Sequence, residues 1–355
     1  MKLYHWLSVF FLIGLLACGG GVAPVSDSTA PNATDWLVDT NFVRDGGPGK
    51  DGIPSLDFPE FITANSVTFL ADSEMVVGTK INGVIRALPH KILDWHEVVN
   101  LETNGDNHAF SYCPLTGSAG LWSVPARFTN KTFGVSGLLY NSNLILYDRE
   151  TDSNWPQMFN QAANGQLIGE KAVTHAVIET TWGSWKQMYP NTTLLSNNTG
   201  FSRDYEVYPY DNYLTDNTLL FALSRQDSRL HLKTRVLGVA DANVNIVYPL
   251  NDFSINIQTI NEVFATSEFV VVGSSQINFA IAFESRLSDG TLLTFTPVDS
   301  ALPIVMQDNE GNQWNVFGEA VSGPRQGTKL KLKSDYIAFW LAWVPYHPSP
   351  TIHVF

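Results

Sequence analysis

Three blocks of this chain recur in the same order about 160 residues later, and that repeat limits the fold more than any other feature. Val76-Val77-Gly78 through Arg86-Ala87-Leu88-Pro89 is echoed by Val236-Leu237-Gly238 through Ile246-Val247-Tyr248-Pro249, a shift of 160. Asn154-Trp155 and Gly165-Gln166 match Gln313-Trp314 and Gly323-Pro324, at shifts of 158 to 159. Trp182-Gly183-Ser184-Trp185 with Pro190 matches Trp340-Leu341-Ala342-Trp343 with Pro348, at 158. The repeat predicts a first β-rich unit over residues 41–200, a connector over 201–230 and a second, degenerate unit over 231–355.

Within each unit the periodicity is mostly that of strands. Ser66 to Leu70, Met75 to Ile81, Val84 to Leu88, Ala109 to Cys113, Leu144 to Tyr147, Phe269 to Val272 and Phe279 to Phe283 are short β-branched or aromatic runs. Asn82-Gly83 and Asp289-Gly290 supply turn chemistry beside them. Two stretches break the pattern. Between His90 and Asn100, residues Ile92, Trp95, His96 and Val99 fall on one helical face, and Trp182 to Tyr189 reads as a short helix stopped by Pro190. The expected class is mainly β with a few short helices, a β-rich α+β fold built as sandwich- or barrel-like units and duplicated.

Composition narrows the partners. With 34 Asp+Glu against 21 Lys+Arg, net charge −13 and pI near 4.9, the chain lacks the basic surface that nucleic acid requires. The apolar run from Trp6 to Ala17 is too short for a bilayer core of about 30 Å but suits a signal peptide over 1–17. It closes on Leu15-Leu16-Ala17-Cys18, which resembles a bacterial lipobox, with Cys18 as the lipidation site. Residues 18–40 then read as a lipidated flexible tether, rich in Gly, Ser, Pro and Ala at its start. These features predict a lipoprotein held by its lipid to the extracytoplasmic side of a membrane in the cell envelope. With Gly19 after Cys18, the outer membrane facing the periplasm is favoured in a Gram-negative cell.

The repeat also separates structure from chemistry. Folding residues should persist in both copies, whereas reactive ones need occur in only one. At a shift of 160, His90 faces Leu250, His96 faces Asn256, Glu97 faces Ile257 and Cys113 faces Gly273. The reactive set therefore sits in the first unit. Its centre is Ser111-Tyr112-Cys113-Pro114-Leu115-Thr116-Gly117-Ser118, a thiol presented at a strand end on a tight loop. Loop N–H groups with the Thr116 and Ser118 hydroxyls could stabilise a thiolate. In this reading Cys113, His96 and Thr116 are catalytic, while Cys113, His96 and His90 are ligands for copper or zinc. Ser118, Asp148 and Arg149 are binding residues. The plainer alternatives are a buried Cys113 acting as a small hydrophobe and a helical His96 satisfied by backbone. Asp94, Glu97 and Asp148 are candidate partners for this pair, though each reads more readily as a solvated or capping carboxylate.

Several blocks carry a family resemblance. Ile81 to Pro89, Leu93-Asp-Trp-His-Glu-Val-Val-Asn100, Tyr112-Cys-Pro-Leu-Thr-Gly-Ser118, Phe133 to Asn143, Tyr147-Asp-Arg149 and Trp155 together resemble the bacterial and archaeal DUF3179 family. Gly46-Gly47-Pro48, Asp51 to Pro54, Ser202 to Tyr205 and Phe339 to Trp343 are similar to its other blocks, so the resemblance spans about residues 40–355. It brings no established activity with it. Some members carry Cys or selenocysteine where this chain has Thr116, which implies thiol or selenol redox, or soft-metal binding, in such members. Thr116 removes the resolving thiol.

Other motifs are weaker. Gly46 to Lys50 lacks the Ser/Thr of a phosphate loop, and His96-Glu97-x-x-Asn100 lacks the second His of a zinc protease. Asp308 to Asn312 looks like a hairpin turn rather than a calcium loop. Asn32, Asn130 and Asn191 head Asn-x-Thr triplets that mean little on a bacterial lipoprotein. The tryptophans that recur in both copies point to core rather than sugar stacking. The leading expectation is thus an envelope lipoprotein with a thiol-centred redox or copper-type site and a thiol or metal-delivery partner protein. The rival is a non-catalytic binding or scaffold lipoprotein with a structural Cys113. A Cys–His hydrolase ranks third for want of a third residue.

Overall fold

A computed structural model describes residues 35–334 and 336–355. The signal segment, most of the tether and Cys18 lie outside the described residues. Among the described residues the chain folds as mainly β structure with three short α-helices: α1 (His90–His96), α2 (Trp182–Met188) and α3 (Trp340–Tyr346). The strands form six small sheets in a propeller-like arrangement, not the sandwich or barrel expected from strand patterning. Strand runs of four to eight residues are common to all these architectures, so periodicity alone does not choose among them.

Three sheets come from the first half. Val177–Thr181, Met75–Ile81, Val84–Pro89, Thr193–Leu195 and Phe61–Thr63 form one, in that spatial order. Leu56–Asp57, Val98–Thr103, Asp106–Cys113 and Ser118–Ser123 form the next. Val43–Asp45, Phe133–Tyr140, Asn143–Asp148 and Asn154–Pro156 form the third. The second half supplies Tyr336–Phe339, Arg235–Ala240, Asn245–Pro249 and Thr351–Ile352; then Gln258–Phe264, Ser267–Ser274 and Phe279–Glu284; then Phe295–Pro297, Ile304–Asp308, Gln313–Asn315 and Ala320–Ser322.

The two sets of sheets match in detail. The hairpin over 75–89 has an antiparallel neighbour at Val177–Thr181 and a parallel one at Thr193–Leu195. The hairpin over 235–249 has the same two neighbours, antiparallel at Tyr336–Phe339 and parallel at Thr351–Ile352. α2 and α3 follow the antiparallel neighbours directly. Each helix lays a tryptophan on a glycine of the hairpin: a Cβ at Gly78 would fall inside the Trp185 ring, and one at Gly238 inside the Trp343 ring. That close approach is why the Gly and Trp blocks recur together. Between the sets, one core cluster joins Cys113, Leu144 and Trp155 to Val236, Tyr336 and Trp343. A second joins Val76 and Trp185 to Val270, Phe283 and Trp314.

Local expectations held in most places. Asn82 and Gly83 both take positive φ (49° and 81°), as a two-residue hairpin turn requires, and α2 ends one residue short of Tyr189. Its cap is Thr181, whose hydroxyl accepts the Ser184 N–H at 3.3 Å. Two expectations need correction. No strand forms over 66–70. The helix expected across His90 to Asn100 stops at His96, because Glu97 turns to φ 57° and Val98–Thr103 pairs as a strand with Asp106–Cys113. Val99 fits the helical spacing only by coincidence; as a β-branched residue it favours the strand it joins.

Candidate functional site

Cys113 closes the strand Asp106–Cys113, paired with Ser118 across a turn in which the Thr116 N–H donates to the Cys113 carbonyl at 3.2 Å. Gly117, at φ 56°, completes the turn, and a Cβ there would press on the Phe339 ring. The Phe339 N–H in turn donates to the Thr116 carbonyl at 2.7 Å, which ties this loop to the second half of the chain. The thiol is buried and sits in a hydrophobic cluster. Its sulfur accepts the Leu144 N–H at 3.3 Å and faces the Ser142 carbonyl at 3.7 Å. Burial, reinforced by the nearby Glu97 carboxyl, pushes the thiol up to about 11, while the Thr116 hydroxyl and the Leu144 and Thr116 N–H groups pull the other way. Near pH 7 this sulfur is a thiol.

The hydroxyls expected to serve the sulfur have a second employment. Thr116 Oγ1 and Ser118 Oγ lie 2.8 Å apart; Ser118 donates to Gln157 Oε1 at 2.6 Å, and Asn143 Nδ2 donates to Thr116 at 3.0 Å and to Gln157 at 2.9 Å. Gln157 Nε2 then donates to Ser111 Oγ and the Ser118 carbonyl. This buried network holds the loop, and sequence reasoning missed Asn143 and Gln157 because they lie 25 or more residues from Ser118 with no motif to flag them.

His96 is fully buried. Its Nδ1 is 2.8 Å from the Pro54 carbonyl, which can only accept, so Nδ1 carries the proton. Nε2 therefore accepts the Tyr205 hydroxyl at 2.7 Å. Burial lowers the imidazole below its ordinary value, and Arg203 adds to this, against the raising effect of the Pro54 carbonyl. Both nitrogens are engaged away from Cys113. His90, at the start of α1, packs its ring on Tyr112 at 4.5 Å and sets Nε2 3.4 Å from Glu179 Oε2, without a hydrogen bond. Glu179 takes Arg235 from the second half at 2.7 Å. The structure thus does not bring Cys113, His96 and His90 together. Among the described residues, no group of three or more His, Cys, Asp or Glu side chains is placed to hold a metal ion.

Asp148 and Arg149 have structural partners. Asp148 accepts the Trp155 indole N–H at 2.9 Å and the Thr151 N–H at 2.6 Å. Asp308 does the same for Trp314, at 2.9 Å. Arg149 pairs with Asp51 and Asp57 and donates to Ser55 and Tyr147, fastening the 51–57 segment. The one-residue register also refines the comparison of halves. Ser274 pairs with Phe279 as Cys113 pairs with Ser118, so the counterpart of Cys113 is Ser274 at a shift of 161, not Gly273. A hydroxyl stands where the first half has its thiol.

Beside the buried thiol lies a pocket of about 350 Å³. Its walls are mostly apolar: Leu115, Val135, Leu139, Leu144, Leu220 and Phe221. Into it project Asp94, Trp95 and Glu97 from the end of α1, with Arg203 and Tyr210 from the connector. Glu97 is 4% exposed, and Tyr210 donates to its Oε1 at 3.0 Å. Burial pushes the Glu97 carboxyl up to about 7, against that hydrogen bond. Asp94 takes no hydrogen bond or ion pair among the described residues; burial, with repulsion from Glu97, pushes it up to about 8. The Tyr208 hydroxyl, buried without a partner among the described residues, lies within electrostatic reach of Asp94. The expectation of solvated or capping carboxylates does not describe Asp94 and Glu97. Two larger hollows, of about 550 and 590 Å³, have most of their charges already in ion pairs, among them Arg127–Glu170 and Lys333–Asp241.

A family model described as a protein of unknown function, DUF3179, matches residues 50–350. No curated protein and no solved structure matches the chain.

Proposed function

The chain belongs to the DUF3179 family, and from that premise we propose that it is a non-catalytic binding protein of the cell envelope, tethered through Cys18, whose ligand enters the pocket at the end of α1. Its two matching sets of three sheets are the products of one internal duplication, with the connector over 201–230 roofing the pocket. The observation that carries the reading is the contrast between neighbours. The sulfur and the His96 imidazole are enclosed and satisfied, whereas Asp94 and Glu97 are desolvated, under-partnered and open to a cavity. A mostly apolar cavity with a few convergent polar groups of shifted pKa is the ordinary form of a small-molecule site.

A second reading, thiol redox or soft-metal binding at Cys113 with copper or zinc and a thiol or metal-delivery partner, draws support from the N–H groups of Leu144 and Thr116 around the sulfur. Titration of the folded protein with a thiol reagent near pH 7 separates the two. Reaction only after denaturation is expected for the binding protein, and rapid reaction in the folded state would transfer the case to the thiol. Palmitate labelling that is lost on Cys18→Ser tests the tether.

A further inference from the structure

We infer that the pocket takes a small organic cation: a protonated amine or quaternary ammonium on an apolar body, its nitrogen between Asp94 and Glu97. This inference deepens the binding reading and rests on it. Two carboxyls share one apolar enclosure, and neither has a cationic partner among the described residues. Empty, the pocket favours protons on both carboxyls because burial penalises their charge, with repulsion from Glu97 adding to this at Asp94. A cationic nitrogen replaces those protons and offsets the burial of both groups, leaving an ionised Asp94 within electrostatic reach of the Tyr208 hydroxyl.

The rest of the cavity fits such a ligand. Its volume of about 350 Å³ lies at the small end of ligand pockets and suits a single ring or short alkyl body. Leu115, Val135 and Leu144 provide that body with apolar wall, while Trp95, Tyr210 and Phe221 provide aromatic faces for a cation. An anion would face two carboxyls for one guanidinium, and Arg203 is exposed at the rim, 5.4 Å over the Trp95 ring.

The groups facing the two carboxyls are Tyr112, Tyr208, Tyr210, Cys113 and Arg203, none of which changes charge near neutrality: burial raises the three phenols and the thiol, and a guanidinium stays charged. Only Asp94 and Glu97 titrate there, so amine binding releases protons at pH 7 and tightens as pH rises through about 7 and 8.

The experiment is calorimetry on the purified mature protein with phenethylamine, phenethyl alcohol and phenylacetate as probes of equal body and different charge. Phenethylamine is expected to bind with proton release, and the other two to bind at least about tenfold more weakly. Asp94→Asn, an isosteric change, should weaken the amine by about tenfold or more, and Leu220→Trp should block it by filling the mouth. If the alcohol or the carboxylate binds as tightly as the amine and Leu220→Trp blocks it, the cation is wrong and the pocket stands. If no probe binds, or Leu220→Trp leaves binding unchanged, both the inference and the pocket reading fail.

Discussion

The backbone N–H of Leu144 points at the sulfur of Cys113 across 3.3 Å, holding it against a strand of the neighbouring sheet rather than toward solvent. With the thiol raised to about 11, on the order of one molecule in ten thousand carries a thiolate at pH 7. Modification of folded protein is therefore expected to track unfolding, and to become complete within minutes in denaturant. His96→Ala should cost about 1–3 kcal/mol by leaving the Pro54 carbonyl without its donor, the Tyr205 hydroxyl keeping Thr199 as a partner, while leaving that labelling slow per folded molecule. A base acting on Cys113 would instead make the variant's native-state reactivity fall below that of the parent, measured at matched fraction folded.

Asp94 and Glu97 hold protons more tightly in the folded chain than in the unfolded one. Their contribution to stability is therefore present below the ordinary carboxylate range and is lost as pH rises through about 7 and 8. Glu97→Gln and Asp94→Asn should each be stabilised relative to the parent, by about 1–3 kcal/mol at pH 9 and little at pH 5. Urea melts across that range give the comparison. A parent whose stability rises between pH 5 and 9, with both variants following it, would contradict the desolvation of these carboxyls.

Much of the strand content and the matching of the halves could be read from the sequence, because glycine and tryptophan meet by contact: Gly78 with Trp185, Gly238 with Trp343. The blade-like arrangement could not, since which sheet packs on which is decided by clusters whose members lie far apart in sequence, such as Leu144 with Val236. The site suffered the same limit. His96 and Cys113 were conspicuous as residue types, but their surroundings depend on Pro54, Tyr205 and Leu144. Asp94 and Glu97 looked ordinary because their burial comes from a connector more than 100 residues away, through Tyr210.

The paired glycines make a symmetrical prediction. Gly78→Ala and Gly238→Ala each force a methyl into an indole that is itself hydrogen-bonded, Trp185 to Thr192 at 3.0 Å and Trp343 to Asn245 at 3.3 Å. Overpacking of this kind costs about 1–3 kcal/mol or more. Chemical denaturation should give similar losses for the two variants. A near-neutral result at either glycine would mean that its helix shifts freely and that the tryptophan contact does not fix the fold there.

Asp148 and Asp308 offer the sharper test of what is structural. Each carboxylate accepts an indole N–H at 2.9 Å and backbone N–H groups of its own turn: Thr151 for Asp148, Glu310 and Asn312 for Asp308. Removing either carboxylate leaves a buried indole N–H and turn amides unpaired, at about 1–3 kcal/mol for each unsatisfied group. Asp148→Ala and Asp308→Ala are therefore expected to lose comparable stability, and neither should alter phenethylamine affinity in the fraction that remains folded, since neither residue lines the pocket. A change in affinity confined to Asp148→Ala would return that residue to the binding site and leave Asp308 as its purely structural twin.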